Sequence, residues 1–207
     1  MSESSGKSRH QRLKEAAAAY GEASLHNYAE IRSLAERIAE GFCAFLAPDD
    51  PPCVYLVPPK GAFGPRDFGS AAFSVSGAGF LPLSPIAFGL ALKVSQTGDW
   101  LRIVVTCMQE GGQLVCRITD GETFAFPLPV TDAALNEFFE NLYDYALAWF
   151  EERVKLYEAG AYGGSNMGFE LVHIDANSPA TAPLEQDQAL PAAASASAGA
   201  SPGEADK

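Results

Sequence analysis

Between residues 86 and 128, apolar and polar side chains alternate with a period of two, and turn signals cut the alternation into four segments. The strongest signal is Gly111-Gly112, where two glycines supply the positive φ of a two-residue hairpin turn. That turn pairs Val105 with Ile118 and Cys107 with Cys116. A two-residue turn at Thr97-Gly98 pairs Val94 with Leu101, Leu92 with Ile103, Leu90 with Val105 and Phe88 with Cys107. At Asp120-Gly121 a two-residue turn would set Ile118 against Thr123. Parity selects instead a three-residue turn over Asp120, Gly121 and Glu122, with Gly121 left-handed, Ile118 opposite Phe124 and Cys116 opposite Phe126. The prediction is an antiparallel meander with one apolar face. Its other face carries Lys93, Trp100, Arg102, Met108 and Arg117.

Two stretches follow the helical period instead. After Ser24, a predicted N-cap, Tyr28, Ile31, Leu34, Ile38, Phe42 and Phe45 recur at three- and four-residue spacing until Pro48. After Thr131, a second predicted cap, Leu135, Phe138, Phe139, Leu142, Trp149 and Phe150 belong to a wide apolar stripe that Gly160 ends. Shorter strands are predicted at 53–57, at 71–76 and, as an edge, at 168–174. The fold class that follows is α+β: a mainly antiparallel sheet of five to seven strands, with one face covered by an N-terminal and a C-terminal amphipathic helix.

Flanking this body, residues 1–23 read as a flexible or frayed helical arm, interrupted by Gly21. Residues 24–174 read as a single domain, and residues 175–207, rich in Ala, Ser, Pro and acid, as a disordered low-complexity tail. The net charge of −12 divides unevenly. Residues 1–24 hold four basic and three acidic side chains, residues 25–174 nine and eighteen, and residues 175–207 one and five. An acidic body argues against nucleic acid and anionic membranes as partners and permits a basic protein partner or self-association. No apolar run is long enough to span a bilayer, and the first residues lack the apolar core of a secretory leader, so the cytoplasm is the expected compartment.

Candidate chemistry is sparse. The cysteines form no C-x-x-C pair and the histidines are scattered, so neither a metal nor a cofactor is expected. Cys107 and Cys116, cross-strand neighbours in the predicted register, are a candidate redox pair. The Gly- and Pro-rich stretch 58–85 could cover a pocket, with Lys60, Arg66 and Asp67 as candidate ligand-binding residues. The acids of the second helix fall off its apolar stripe, and no catalytic residue is nominated. The leading expectation is a non-enzymatic protein-binding module, such as a chaperone, adaptor or inhibitor, acting through the outer sheet face. The alternative is a small-molecule binder or enzyme with a pocket under loop 58–85.

Overall fold

A computed structural model describes residues 7–47, 52–161 and 169–174. Helix α1, Arg9–Leu46, is one continuous helix of 38 residues. Ser8 caps it by accepting the Gln11 amide at 3.1 Å, so the cap lies well before the one predicted at Ser24. Ser24 is buried in its interior and donates its hydroxyl back to the Tyr20 carbonyl at 2.9 Å. Four consecutive alanines, 16–19, carry the helix through Gly21, whose helix cost of about 1 kcal/mol is too small to break a helix anchored farther on. Only the part from Ser24 onward is buried, on Asn27, Ile31, Leu34, Ala35, Ile38, Ala39 and Phe42. The preceding turns project as an exposed arm. Residues 1–6 and the acidic tail 175–207 lie outside the described residues.

Strands β1 (Val54–Val57), β2 (Ile86–Lys93), β3 (Asp99–Glu110), β4 (Gln113–Ile118) and β5 (Thr123–Pro127) follow one another in the sheet, each antiparallel to its neighbour. After helix α2 (Asp132–Glu158), strand β6 (Phe169–His173) returns and pairs with β3. Twelve-residue β3 is the organising strand. One edge meets β2; the other is shared between β6, opposite Asp99–Ile103, and β4, opposite Val105–Glu110. The predicted terminal strand therefore lies against the centre of the sheet. Both helices cover the same face, giving the α+β architecture read from the sequence.

The Gly111-Gly112 register is as predicted, with Cys107 opposite Cys116 and both glycines at positive φ. The two flanking registers are displaced by two residues. Leu92 faces Leu101 and Phe88 faces Val105. Ser95 accepts the Thr97 and Asp99 amides and so builds a longer loop than a two-residue turn. Likewise Cys116 faces Phe124, and Asp120 rather than Gly121 is left-handed, at φ 57°. Gly121 is required for space: a Cβ there would lie 2.9 Å from the Tyr145 hydroxyl. The predicted strand at 71–76 is reduced to a 3-10 turn, Gly69–Ala72, and one bridge between Phe73 and Phe88.

The helices meet where Gly41 of α1 admits the Phe139 ring of α2; a Cβ at 41 would come within 2.7 Å of it. Arg37 ties the same pair by donating to the Val130 carbonyl at 2.9 Å and to Asp132 at 2.8 Å. Thr131 caps α2 as predicted, accepting the Ala134 amide. Two disulfides staple the body. Cys107–Cys116 joins adjacent strands inside the core, and Cys43–Cys53 joins the end of α1 to the approach to β1. The second was not anticipated from the sequence. Among the described residues no helix is long and apolar enough to cross a membrane.

Candidate functional site

The outer sheet face is divided. Along the first half of β3, Trp100 and Arg102 are buried, contrary to their expected place on an open binding face. For Arg102 the cause is the chain after β1, which folds back over it. Small Gly89 on β2 makes room: a Cβ there would lie 3.0 Å from the Pro58 carbonyl oxygen. Arg102 then donates to the carbonyls of Pro58 at 3.2 Å and Gly61 at 2.7 Å. Its guanidinium lies 4.6 Å above the Phe63 ring and forms an ion pair with Glu170 of β6. Trp100 packs edge-on against Tyr55. Beyond this cover, Lys93 and Arg117 are exposed and Met108 is half-buried. The proposed surface is therefore interrupted at its centre.

Beneath the same loop is a cavity of about 340 Å³ lined by Pro59, Lys60, Arg102, Val104, Thr119, Phe169 and Glu170. Of the ligand candidates, Lys60 alone lines it. Arg66 stacks on Phe68, and Asp67 accepts the Gly69 amide at 2.7 Å, fixing the 3-10 turn. The three are thus not gathered on one cavity. The buried Nε of Arg102 has no hydrogen-bond partner among the described residues.

The larger opening is on the opposite side, between the helices and the end of β2. It is a groove of about 650 Å³. Phe42, Leu46 and Ala47 of α1 form one wall, Tyr143, Ala146, Leu147 and Phe150 of α2 the other, and Cys53 with the segment Leu92 to Gln96, which includes the polar Lys93, Ser95 and Gln96, the floor. The walls continue the aromatic core, through Phe42 against Phe139 at 5.7 Å and Phe45 against Tyr143 at 6.5 Å. Yet Tyr143 and Leu147 are 41% and 43% exposed, and Val154, two turns on, is 57% exposed. Glu140, Asp144 and Glu151, all exposed, run beside this apolar line at helical spacing. Apart from Lys93, Ser95 and Gln96 at the end of β2, the concavity is apolar, and its acidic α2 edge favours an apolar surface with a basic margin.

Of the groove residues only Lys93 was among the sequence-derived candidates; the apolar walls were not. Their signal was the width of the α2 stripe, which is broader than one sheet face can cover. Elsewhere the charges are structural. Asp99 accepts from Thr97 and meets His173 Nδ1 at 2.8 Å. Hydrogen bonds, first from Ser95 and then from His173, hold its carboxyl below the ordinary value of 3.8. Tyr145 donates to the Asp120 carbonyl at 3.1 Å; burial, then the charges of Asp120 and Glu122, raises its pKa above 10.0. Among the described residues no group of three His, Cys, Asp or Glu side chains could hold a metal ion. The Cys107 and Cys116 sulfurs are bonded to one another and fully buried. The chain matches no family model, no curated protein and no solved structure.

Proposed function

We propose that the protein is a non-enzymatic binding module whose working surface is the α1/α2 groove, and that it accepts a basic amphipathic helix of a protein partner. The observation that carries this reading is the continuity of the α2 apolar line. It runs from the core at Phe139 out through Tyr143 and Leu147 into an open groove, beside Glu140, Asp144 and Glu151. Helix-in-groove recognition uses such a line, with apolar anchors every three or four residues. The acidic balance of residues 25–174 favours a basic partner and disfavours nucleic acid and anionic membranes. The working surface thus moves from the outer sheet face to the groove, because Trp100 and Arg102 are covered.

The pairing of all four cysteines favours an oxidising compartment over the cytoplasm expected from the sequence. The test of the groove is fluorescence anisotropy with a labelled synthetic Leu/Lys amphipathic helix. The reading predicts saturable binding that Leu147→Asp weakens at least tenfold and that added salt weakens further. Equal binding by Leu147→Asp contradicts it.

A second reading rests on the cavity under residues 59–60. Lys60 and the carboxylate of Glu170, which line it, would suit a small zwitterionic ligand. A screen of amino acids by thermal shift tests it. The reading requires a stabilisation that Lys60→Ala removes, and it fails if no amino acid raises the melting temperature.

A further inference from the structure

Among the described residues, the amino-terminal arm of α1 is a second exposed apolar surface. From Ser8 to Tyr20 every residue is exposed, yet the arm is the direct continuation of the buried stripe. Leu13, Ala17, Tyr20, Ser24, Asn27, Ile31, Leu34 and Ile38 are spaced alternately by four and three residues. From Ser24 onward this line is buried in the body, whereas Leu13 is 67% exposed. Tyr20 is steadied by stacking on Phe80 at 5.2 Å and by accepting the Leu83 amide. An alternation of four and three is the seam of a helix that packs on another helix. The arm carries the opposite charge to the body. Residues 7–23 hold Lys7, Arg9, Arg12 and Lys14 against Glu15 and Glu22. Helical geometry puts Arg12 and Lys14 on the two margins of the Leu13–Tyr20 line and the two glutamates on the back.

The α2 line has the complementary form. Tyr143, Leu147, Phe150 and Val154 are spaced by four, three and four residues, beside Glu140, Asp144 and Glu151. The lengths agree as well. Arg9 to Tyr20 and Tyr143 to Val154 each cover about 18 Å of helix.

We propose that the occupant of the groove is the amino-terminal arm of a second copy of this chain. Leu13 and Tyr20 lie against Leu147 and Tyr143, and one basic margin of the arm faces the edge formed by Glu140, Asp144 and Glu151. The exchange is reciprocal, so each copy supplies one arm and one groove in a closed two-fold dimer. This deepens the groove reading and rests on it, because it names the basic amphipathic helix that the groove accepts.

The test is the solution mass of the full chain at tens of micromolar in low salt, by light scattering or sedimentation. Leu13 and Leu147 are exposed, so Leu13→Asp and Leu147→Asp are compatible with folding, which far-ultraviolet circular dichroism verifies. The native chain is expected at twice the monomer mass and each variant at the monomer mass. Reversing the charges on the arm (Arg12→Glu with Lys14→Glu) or on α2 (Glu140→Lys with Asp144→Lys) is expected to give monomers. Mixing the two reversed proteins restores the dimer, because both contacts then join opposite charges.

A native chain that stays monomeric overturns the proposal, as it would if the chain's own tail filled the groove. A dimer that survives Leu147→Asp, or a mixture that does not reassociate, overturns it too. A monomer that still binds the Leu/Lys helix through Leu147 rejects the second copy and leaves the groove reading standing.

Discussion

Arg102 of β3 and Glu170 of β6 face each other across the outer side of the sheet and form an ion pair. The same guanidinium holds the carbonyls of Pro58 and Gly61 and covers Phe63, so one side chain fastens a loop, the central strand and the last strand together. Replacing it by methionine keeps much of the volume but strands two carbonyls. The expected loss of stability is about 2–3 kcal/mol, with about 1 kcal/mol for Glu170→Gln, because Glu170 is half-exposed and can be solvated. Urea unfolding of the two variants measures both. An Arg102→Met protein as stable as the native one would show that the clasp contributes nothing.

The disulfides make a prediction about order of reduction. Cys107 and Cys116 are fully buried, whereas Cys43 and Cys53 are partly exposed at the groove end. A thiol reductant therefore opens Cys43–Cys53 first, and Cys107–Cys116 yields only when the sheet opens. Removing either bridge by a double Cys→Ala change costs about 2–3 kcal/mol, given closed loops of about ten residues. Timed alkylation and mass mapping follow the order. Free thiols in the unreduced, unfolded protein would contradict the pairing itself.

Acid tests the junction of β6 with the β2–β3 loop. The Asp99 carboxyl is held below its ordinary value by Ser95 and His173. A carboxylate with a lowered folded pKa contributes stability at pH values above its unfolded pKa, and loses it as the pH falls through the folded one. The stability difference between the native chain and Asp99→Asn is therefore expected to shrink steadily from about pH 5 to about pH 2. Urea midpoints across that range measure it. A difference independent of pH would show that the ionised carboxylate does not contribute.

The hydrophobic pattern made the architecture legible and left the site hidden, for physical reasons. Alternation fixes which face a residue occupies, but a shift of two residues preserves every face. Leu92 could therefore pair with Leu101 instead of Ile103 without any mark in the pattern; Ser95, capping a longer loop, decided it. Alternation also placed Arg102 outward, correctly for the sheet, but it carries no information about a loop folding back from Pro58. Cys43 and Cys53 meet because a helix end and a strand start are brought together, a tertiary relation with no periodic signature. The groove residues were visible only as an excess: the stripe from Leu135 to Tyr157 has more apolar positions than the sheet can cover. Ser24 shows the opposite error. A good capping residue became a buried helix-interior hydroxyl because the alanines before it extended the helix.

The most direct measurement of the groove as the binding surface is backbone amide hydrogen exchange on the native chain, with and without a saturating Leu/Lys amphipathic helix. Bound helix is expected to slow exchange along α2 around Tyr143–Val154 and at the end of α1 around Phe42–Ala47. The strand residues Thr106 to Arg117 are expected to stay unchanged. Protection on those strands, with α2 unaffected, would contradict the account and return the binding surface to the sheet.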